Sequence, residues 1–329
     1  MTTFAPTIEA FFTERLITQR EASPRTIAAY RDTLRMLLVF AQHHTGKAPS
    51  QLDVADVDAT LVSAFLTHLE QDRHNSARTR NTRLAAIRSL FGYASLHHPE
   101  HAHSIQRVLA IPSKRHVQRD VDYLHPDEVD ALLAAPNRDT WLGRRDHALL
   151  VVMVQTGLRL SELTHLTCGD FHIGPGAHVR CHGKGRKERA TPLTKHTVAV
   201  LRVWMRERAG NPTEPLFPTS TGRPLSADTV QWLVAKYASV AADDCPSIDV
   251  KAVSPHVLRH TCAMNFLRAG VDIAVIALWL GHESTQTTQI YLHADMTLKE
   301  QALARTKPPN TKPGRYLPPD ALLAFLQGL

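Results

Sequence analysis

The sequence predicts a two-domain, mainly α-helical chain in which an all-helical first domain precedes an α+β second domain with one small β-hairpin. Three observations predict this. The chain has 329 residues, room for two domains at roughly 100–200 residues each. Over the first third, apolar residues recur at helical spacing. Past Ala177 the pattern changes to two short stretches around a Gly-rich basic tip, and then returns to helical spacing.

Ile8, Phe11, Phe12 and Leu16 mark a short amphipathic helix. Ser23-Pro24 offers an N-cap followed by proline at the first helical position. Ile27, Tyr30, Leu34, Leu37 and Ala41 then hold one face until Gly46. A third helix carries Leu61, Phe65 and Leu69, with Asp53, Asp56 and Asp58 around its start, and a fourth carries Leu84, Ile87, Phe91 and Ala94. Four such helices make a small bundle. The fourth opens with Arg78, Arg80 and Arg83, followed by Arg88, at azimuths that form no single solvent face. Two readings stand: a solvated, charged helix start, or a helix contacting a nucleic-acid backbone or groove. The histidines His97, His98, His101 and His103 surround Pro99 and read as a solvated turn, since no cysteine or paired carboxylate accompanies them.

Residues 113–122 are charged, poor in apolar side chains and follow Pro112. They read as a linker between a first domain, 1–112, and a second, 123–306. His125-Pro126-Asp127-Glu128 restarts a helix with acids in its first turn. An apolar helix over 146–155 ends at Thr156-Gly157, and the next contains Arg159, Glu162, Leu163 and Leu166. Stretches 178–181 and 189–193 read as strands joined across Gly183-Lys184-Gly185-Arg186-Lys187. Helical patterns resume at 197–208, 227–240 and 255–269 and continue past Ile273. A proline-rich tail, 307–329, ends in an apolar stripe of Ala321, Leu322, Phe325 and Leu326.

Lys plus Arg number 38 against 31 acids, a net charge of +7, which points towards a polyanionic partner. No stretch approaches the ~18 apolar residues of a membrane span, and the first residues carry no secretory pattern. Four cysteines, Cys168, Cys181, Cys245 and Cys262, form no CxxC pair, so ordinary reduced thiols and a cytoplasmic protein are expected.

Four segments of the second half hold the reactive side chains. They are Thr156–Leu163 with Arg159, the hairpin tip with Lys184, His256-Val257-Leu258-Arg259-His260, and Leu280-Gly281-His282 followed nine residues later by Tyr291. Each alone is weak, because a cation after a glycine turn is usually a surface charge and a lone tyrosine is usually core. Together, in this order and spacing, they resemble the tyrosine recombinase (phage integrase) family, which includes lambda-type integrases and Xer recombinases. T-G-x-R-x-x-E-L stands at Thr156–Leu163, the hairpin lysine at Lys184, H-x-L-R-H at His256–His260 and L-G-H at Leu280–His282, with the nucleophile at Tyr291. Three features depart from the minimal pattern: Ser254-Pro255 before the histidine box, Cys262 within that helix, and the long stretch beyond Tyr291.

The resemblance implies a core-binding domain and a catalytic domain closing as a C-shaped clamp on double-stranded DNA, with the linker crossing the duplex. It implies that Tyr291 attacks a phosphodiester to give a 3′-phosphotyrosyl link, with Arg159 and Arg259 on the non-bridging oxygens. Lys184 would protonate the 5′-oxygen, His256 would act as base or orienter at the tyrosine, and His282 would be a further donor. Arg78, Arg80, Arg83, Arg186 and Lys187 would contact DNA. No cofactor or metal is called for. A tetramer on DNA, with or without partner recombinases, would integrate, excise or transpose an element or resolve DNA multimers. In the family the C-terminal helix often docks into a neighbouring protomer; packing on its own domain, or a disordered tail, is the alternative. Three rival readings are weighed. Intact functional positions disfavour an accessory DNA-binding subunit, scattered acids disfavour a metal-dependent transposase or nuclease, and the separate helical domain and tail disfavour a type IB topoisomerase.

Overall fold

Ser23 caps the second helix as its position before Pro24 requires: its hydroxyl accepts from the Thr26 N–H, and proline supplies the first turn without needing a partner for an N–H. The same device recurs at Asp58, Ser76, Thr140, Thr194, Ser226 and Ser254, each of which caps a helix with its own side chain. The computed structural model describes residues 4–115, 121–182, 188–282, 287–289 and 291. They fall into two compact units that divide between residues 118 and 119.

The first unit is helical. α1 (Ala5–Ala10) continues into a π-helical stretch over Phe11–Gln19, and α2 (Pro24–Thr45), α3 (Ala59–Gln71), α4 (Ala77–Ala94) and α5 (Ala102–Leu109) follow. Its core joins Phe4, Phe11, Leu34, Leu37, Phe65, Leu84 and Phe91. α5 adds Ile105 and Val108 to that core; it is too short, and begins too polar, to stand out in the sequence. The histidine cluster is not wholly solvated. His98 is buried with one ring nitrogen 2.6 Å from the Thr7 hydroxyl, and His101 lies 3.4 Å from Asp53, while His97 and His103 are exposed.

α4 departs from the DNA-contacting expectation at Arg80. That side chain is buried and donates to the Pro112 carbonyl at 3.0 Å. Arg83, half-buried, donates to the Thr33 hydroxyl at 2.8 Å and to the Ala29 carbonyl at 3.3 Å. Arg88 donates to the Ile111 carbonyl, and Asn81 pairs in both directions with the Lys114 backbone at 2.8 and 3.0 Å. Arg80, Asn81 and Arg88 thus hold the chain that leaves the bundle after α5, supplying donors to carbonyls that no helix or strand pairs, while Arg83 ties α4 to α2. Arg78 is exposed.

The second unit surrounds α7 (Trp141–Thr156), whose residues 148–153 are all buried, as expected of a helix that is apolar on every side. α6 (Pro126–Ala134), α9 (Lys195–Arg208), α10 (Ala227–Ala241) and α11 (Pro255–Arg268) surround it. α8 (Leu160–Thr164) follows α7 directly, and α12 (Ile273–Leu280) packs on α11. The β-element is a three-stranded antiparallel sheet, β1 (Phe171–His172), β2 (His178–His182) and β3 (Glu188–Pro192), with Cys181 opposite Arg189. Two-residue β1 lay below what alternation can reveal. The thiols Cys168, Cys181 and Cys262 are buried and unpaired. Among the described residues no helix is long and apolar enough to cross a membrane, and no group of His, Cys, Asp and Glu could hold a metal ion.

Candidate active site

The site is built where two helices end on glycine. α7 stops at Gly157 and α12 at Gly281, with φ of +61° and +64°. This left-handed conformation is costly for any residue with a Cβ. A Cβ on Gly157 would also lie 2.9 Å from Leu280 Cδ2 and 3.1 Å from Cys262 Cβ. Strain and overpacking together lead to an expected cost of about 2–4 kcal/mol for Gly157→Ala, read as a fall in melting temperature of several degrees; an unchanged melting curve would contradict it.

Helix ends leave carbonyls without partners and carry partial negative charge. Two arginines take them up. Arg259, on the buried face of α11, donates to the Gly157 carbonyl at 2.6 Å and to the Leu280 carbonyl at 2.7 Å. Arg159, the N-cap of α8, donates to the Gly281 carbonyl at 2.6 Å. Successive carbonyls, Leu280 and Gly281, therefore hold the two guanidinium groups side by side. Arg259 is 4% exposed. Burial first, and then Arg159, lower its pKa to about 10, so it remains cationic at neutral pH.

A buried carboxylate organises Arg159. Glu162 accepts the Arg159 backbone N–H at 2.8 Å and its Nη1 at 2.9 Å. It also accepts Arg189 Nη1 and Nη2, each at 2.8 Å. Burial pushes this carboxyl up, but Arg189 and Arg159 outweigh burial and hold it below the ordinary carboxylate range.

His282 follows Gly281 directly and bonds through Nδ1 to the Thr288 hydroxyl at 2.7 Å. Burial, and then Arg259, Arg159 and Arg189, push its pKa down to about 4, leaving it neutral at pH 7. On α11, His256 is exposed, and its ring stands 4.2 Å from that of His260 at 68°. Tyr291 is 1% exposed among Ala263, Met264, Leu267, Ile276 and Leu280, with its hydroxyl 2.9 Å from His260 Nδ1. Burial raises the phenol pKa to about 12 and lowers the imidazole to about 3. At neutral pH the tyrosine therefore keeps its proton and the imidazole is uncharged, and the imidazole tautomer sets which of the two donates.

Of the expected site residues, Arg159, Arg259, His282 and Tyr291 converge here, with His256 at the rim of α11. Lys184, Arg186 and Lys187 lie outside the described residues, as does the tail 307–329. Glu162, Arg189 and His260 were not singled out from the sequence as functional. The motif letters contained Glu162 and His260, and Arg189 opens the second expected strand, but only the packing of α8, β3 and α11 reveals what they touch.

The profile of the phage integrase family matches residues 122–297, and that of the phage integrase N-terminal SAM-like domain matches residues 9–98. The chain belongs to the phage integrase family. It is thus a tyrosine recombinase, and its relatives agree. The y4rC protein of Sinorhizobium fredii, named as an integrase/recombinase, is 55% identical over 325 residues, 99% of this chain and 98% of that one. Tyrosine recombinase XerC of Pelobacter propionicus is 34% identical over 287 residues, 87% and 90% of the two chains. The recombinase fold is shared with XerH in a post-cleavage complex with its palindromic difH substrate, at a TM-score of 0.69 and 22% identity over 87% of this chain and 81% of that one. The Tn1549 transposon integrase bound to circular-intermediate DNA also has a TM-score of 0.69, at 15% identity over 93% of this chain and all of that one (100%).

Proposed function

We propose that this recombinase is catalytically active and cleaves and rejoins DNA at specific sites through Tyr291. The phenol oxygen attacks the scissile phosphorus and forms a 3′-phosphotyrosyl bond as the P–O bond to the 5′-oxygen breaks. The 5′-hydroxyl of a second strand then reverses the step on a new partner. The bond energy stays in the protein–DNA link, so neither ATP nor a ligase is needed. Arg159 and Arg259 neutralise the non-bridging oxygens, and Lys184 supplies the proton to the leaving 5′-oxygen. His256 orients or deprotonates the tyrosine, and His282 donates to the phosphate. Arg78, Arg186 and Lys187 contact the DNA backbone, and four protomers act together on two duplexes as the integrase of a mobile element or a resolver of DNA multimers.

The observation that carries this reading is the seating of Arg159 and Arg259 on adjacent carbonyls at the ends of α7 and α12. Two fixed guanidinium groups beside a tyrosine suit a phosphodiester and few other substrates. The test is a nicked-duplex library with randomised core sequence, incubated with the protein in EDTA. DNA surviving denaturing capture is sequenced, and the attached peptide is identified by mass spectrometry. The expected result is a metal-independent adduct on the peptide containing Tyr291, from a protein whose DNA affinity falls steeply with salt. Salt-sensitive DNA binding with no covalent product would favour an accessory binding subunit instead.

A further inference from the structure

Arg189 lies on β3, outside the residues to which the proposed mechanism gives a role, yet it touches both groups that hold Arg159. Its two terminal nitrogens grip the Glu162 carboxylate at 2.8 Å each. Its Nη1 also lies over Gly281, 2.6 Å from where a Cβ would stand, and the Gly281 carbonyl accepts from Arg159. A side chain on Gly281 would thus have to displace the Arg189 guanidinium, in addition to the cost set by its φ.

The carboxylate is fully used. Two planar oxygens offer about four acceptor directions. In this structure they accept the Arg159 N–H, Arg159 Nη1 and both Arg189 nitrogens. Glu162 has a side chain 2% exposed, so water cannot share the load. A carboxylate prefers to meet a guanidinium fork-to-fork, through two parallel bonds. Without Arg189, that preference would turn the Arg159 fork onto Glu162 and away from a phosphate. With Arg189 occupying the fork position, Arg159 reaches Glu162 through Nη1 alone and the Gly281 carbonyl through Nη2, and its three remaining N–H groups stay available.

We infer that Arg189 is a positioning residue for Arg159: by saturating Glu162 it keeps the Arg159 guanidinium turned towards the scissile phosphate. This inference rests on the phosphoryl-transfer reading, but its test needs no cleavage.

The test compares affinities for two duplexes that differ only in the scissile linkage, one a normal phosphodiester and the other a neutral methylphosphonate. The duplex is obtained by binding selection, and all proteins carry Tyr291→Phe. The protein with Arg159 and Arg189 intact is expected to prefer the charged linkage by about 10-fold or more. Arg189→Gln should lower that ratio several-fold, to the level Arg159→Gln gives with Arg259 still in place, while affinity for the neutral duplex changes less than about threefold. Arg189→Lys keeps the charge but cannot fork, so it should lose most of the preference as well. Adding Arg159→Gln to Arg189→Gln should cost nothing further. Melting curves on each variant report folding. An Arg189→Gln protein that keeps its preference, or that loses affinity for both duplexes alike, would overturn the inference. Failure of the unaltered chain to form an adduct would count against the proposed function alone.

Discussion

Tyr291→Phe is expected to abolish covalent adduct formation, by at least about 10⁴-fold, while DNA binding and fold persist. The phenyl ring still fills the space among Met264, Leu267, Ile276 and Leu280, so no cavity opens. What is lost is one hydrogen bond, between the hydroxyl and His260 Nδ1. That leaves a buried ring nitrogen without its partner, a cost of about 1–3 kcal/mol. For a domain of 150–250 residues this is a fall in melting temperature of a few degrees up to about ten. The two readouts therefore separate cleanly: a small thermal shift beside total loss of chemistry. An adduct of undiminished yield in the phenylalanine protein would remove Tyr291 as the nucleophile. The same geometry adds a requirement. On the proposed mechanism the attacking hydroxyl rests at 1% exposure against an imidazole, so attack would begin with the tyrosine leaving His260.

What was legible in the sequence follows from how local each feature is. The helix starts were readable because an N-cap and a following proline act within one turn, as at Ser23 and Ser254. The candidate reactive residues were readable only as a set, because the order and spacing of four segments, each weak alone, resemble those of a known family. Arg80 was not readable. Its charge suggests solvent or DNA, yet its neighbour is the Pro112 carbonyl, 32 residues away, and nothing in the helix pattern names that partner. Arg189 and Glu162 were hidden for the same reason. Each reads as an ordinary charge in its own segment, and only the approach of β3 to α8 makes them a pair. His260 is a harder case, since a histidine one turn after His256 reads as a continuation of the same face. The structure turns His256 outward and His260 inward to the tyrosine.

Arg259 carries the second large effect, and its energetics explain why. Burial, with Arg159 adding repulsion, lowers its pKa to about 10, which corresponds to roughly 3 kcal/mol of work against folding. At neutral pH the group is protonated both folded and unfolded, so this cost is present throughout the working range. Opposing it are charge-assisted bonds to the Gly157 and Leu280 carbonyls, each of which would cost about 1–3 kcal/mol if orphaned. The two contributions oppose each other and are of the same order. Arg259→Gln is therefore expected to shift the melting temperature by no more than a few degrees, yet to reduce adduct formation about 10³-fold or more, as removal of a fixed charge from a phosphoryl-transfer site does. Arg259→Lys should recover little of that rate, because one ammonium cannot bridge both carbonyls and still present a fork to the phosphate. Wild-type rates in the lysine protein would mean that charge alone suffices and that the carbonyl seating is incidental. On the proposed function, a buried cation of small net stability is retained for the phosphate it would hold.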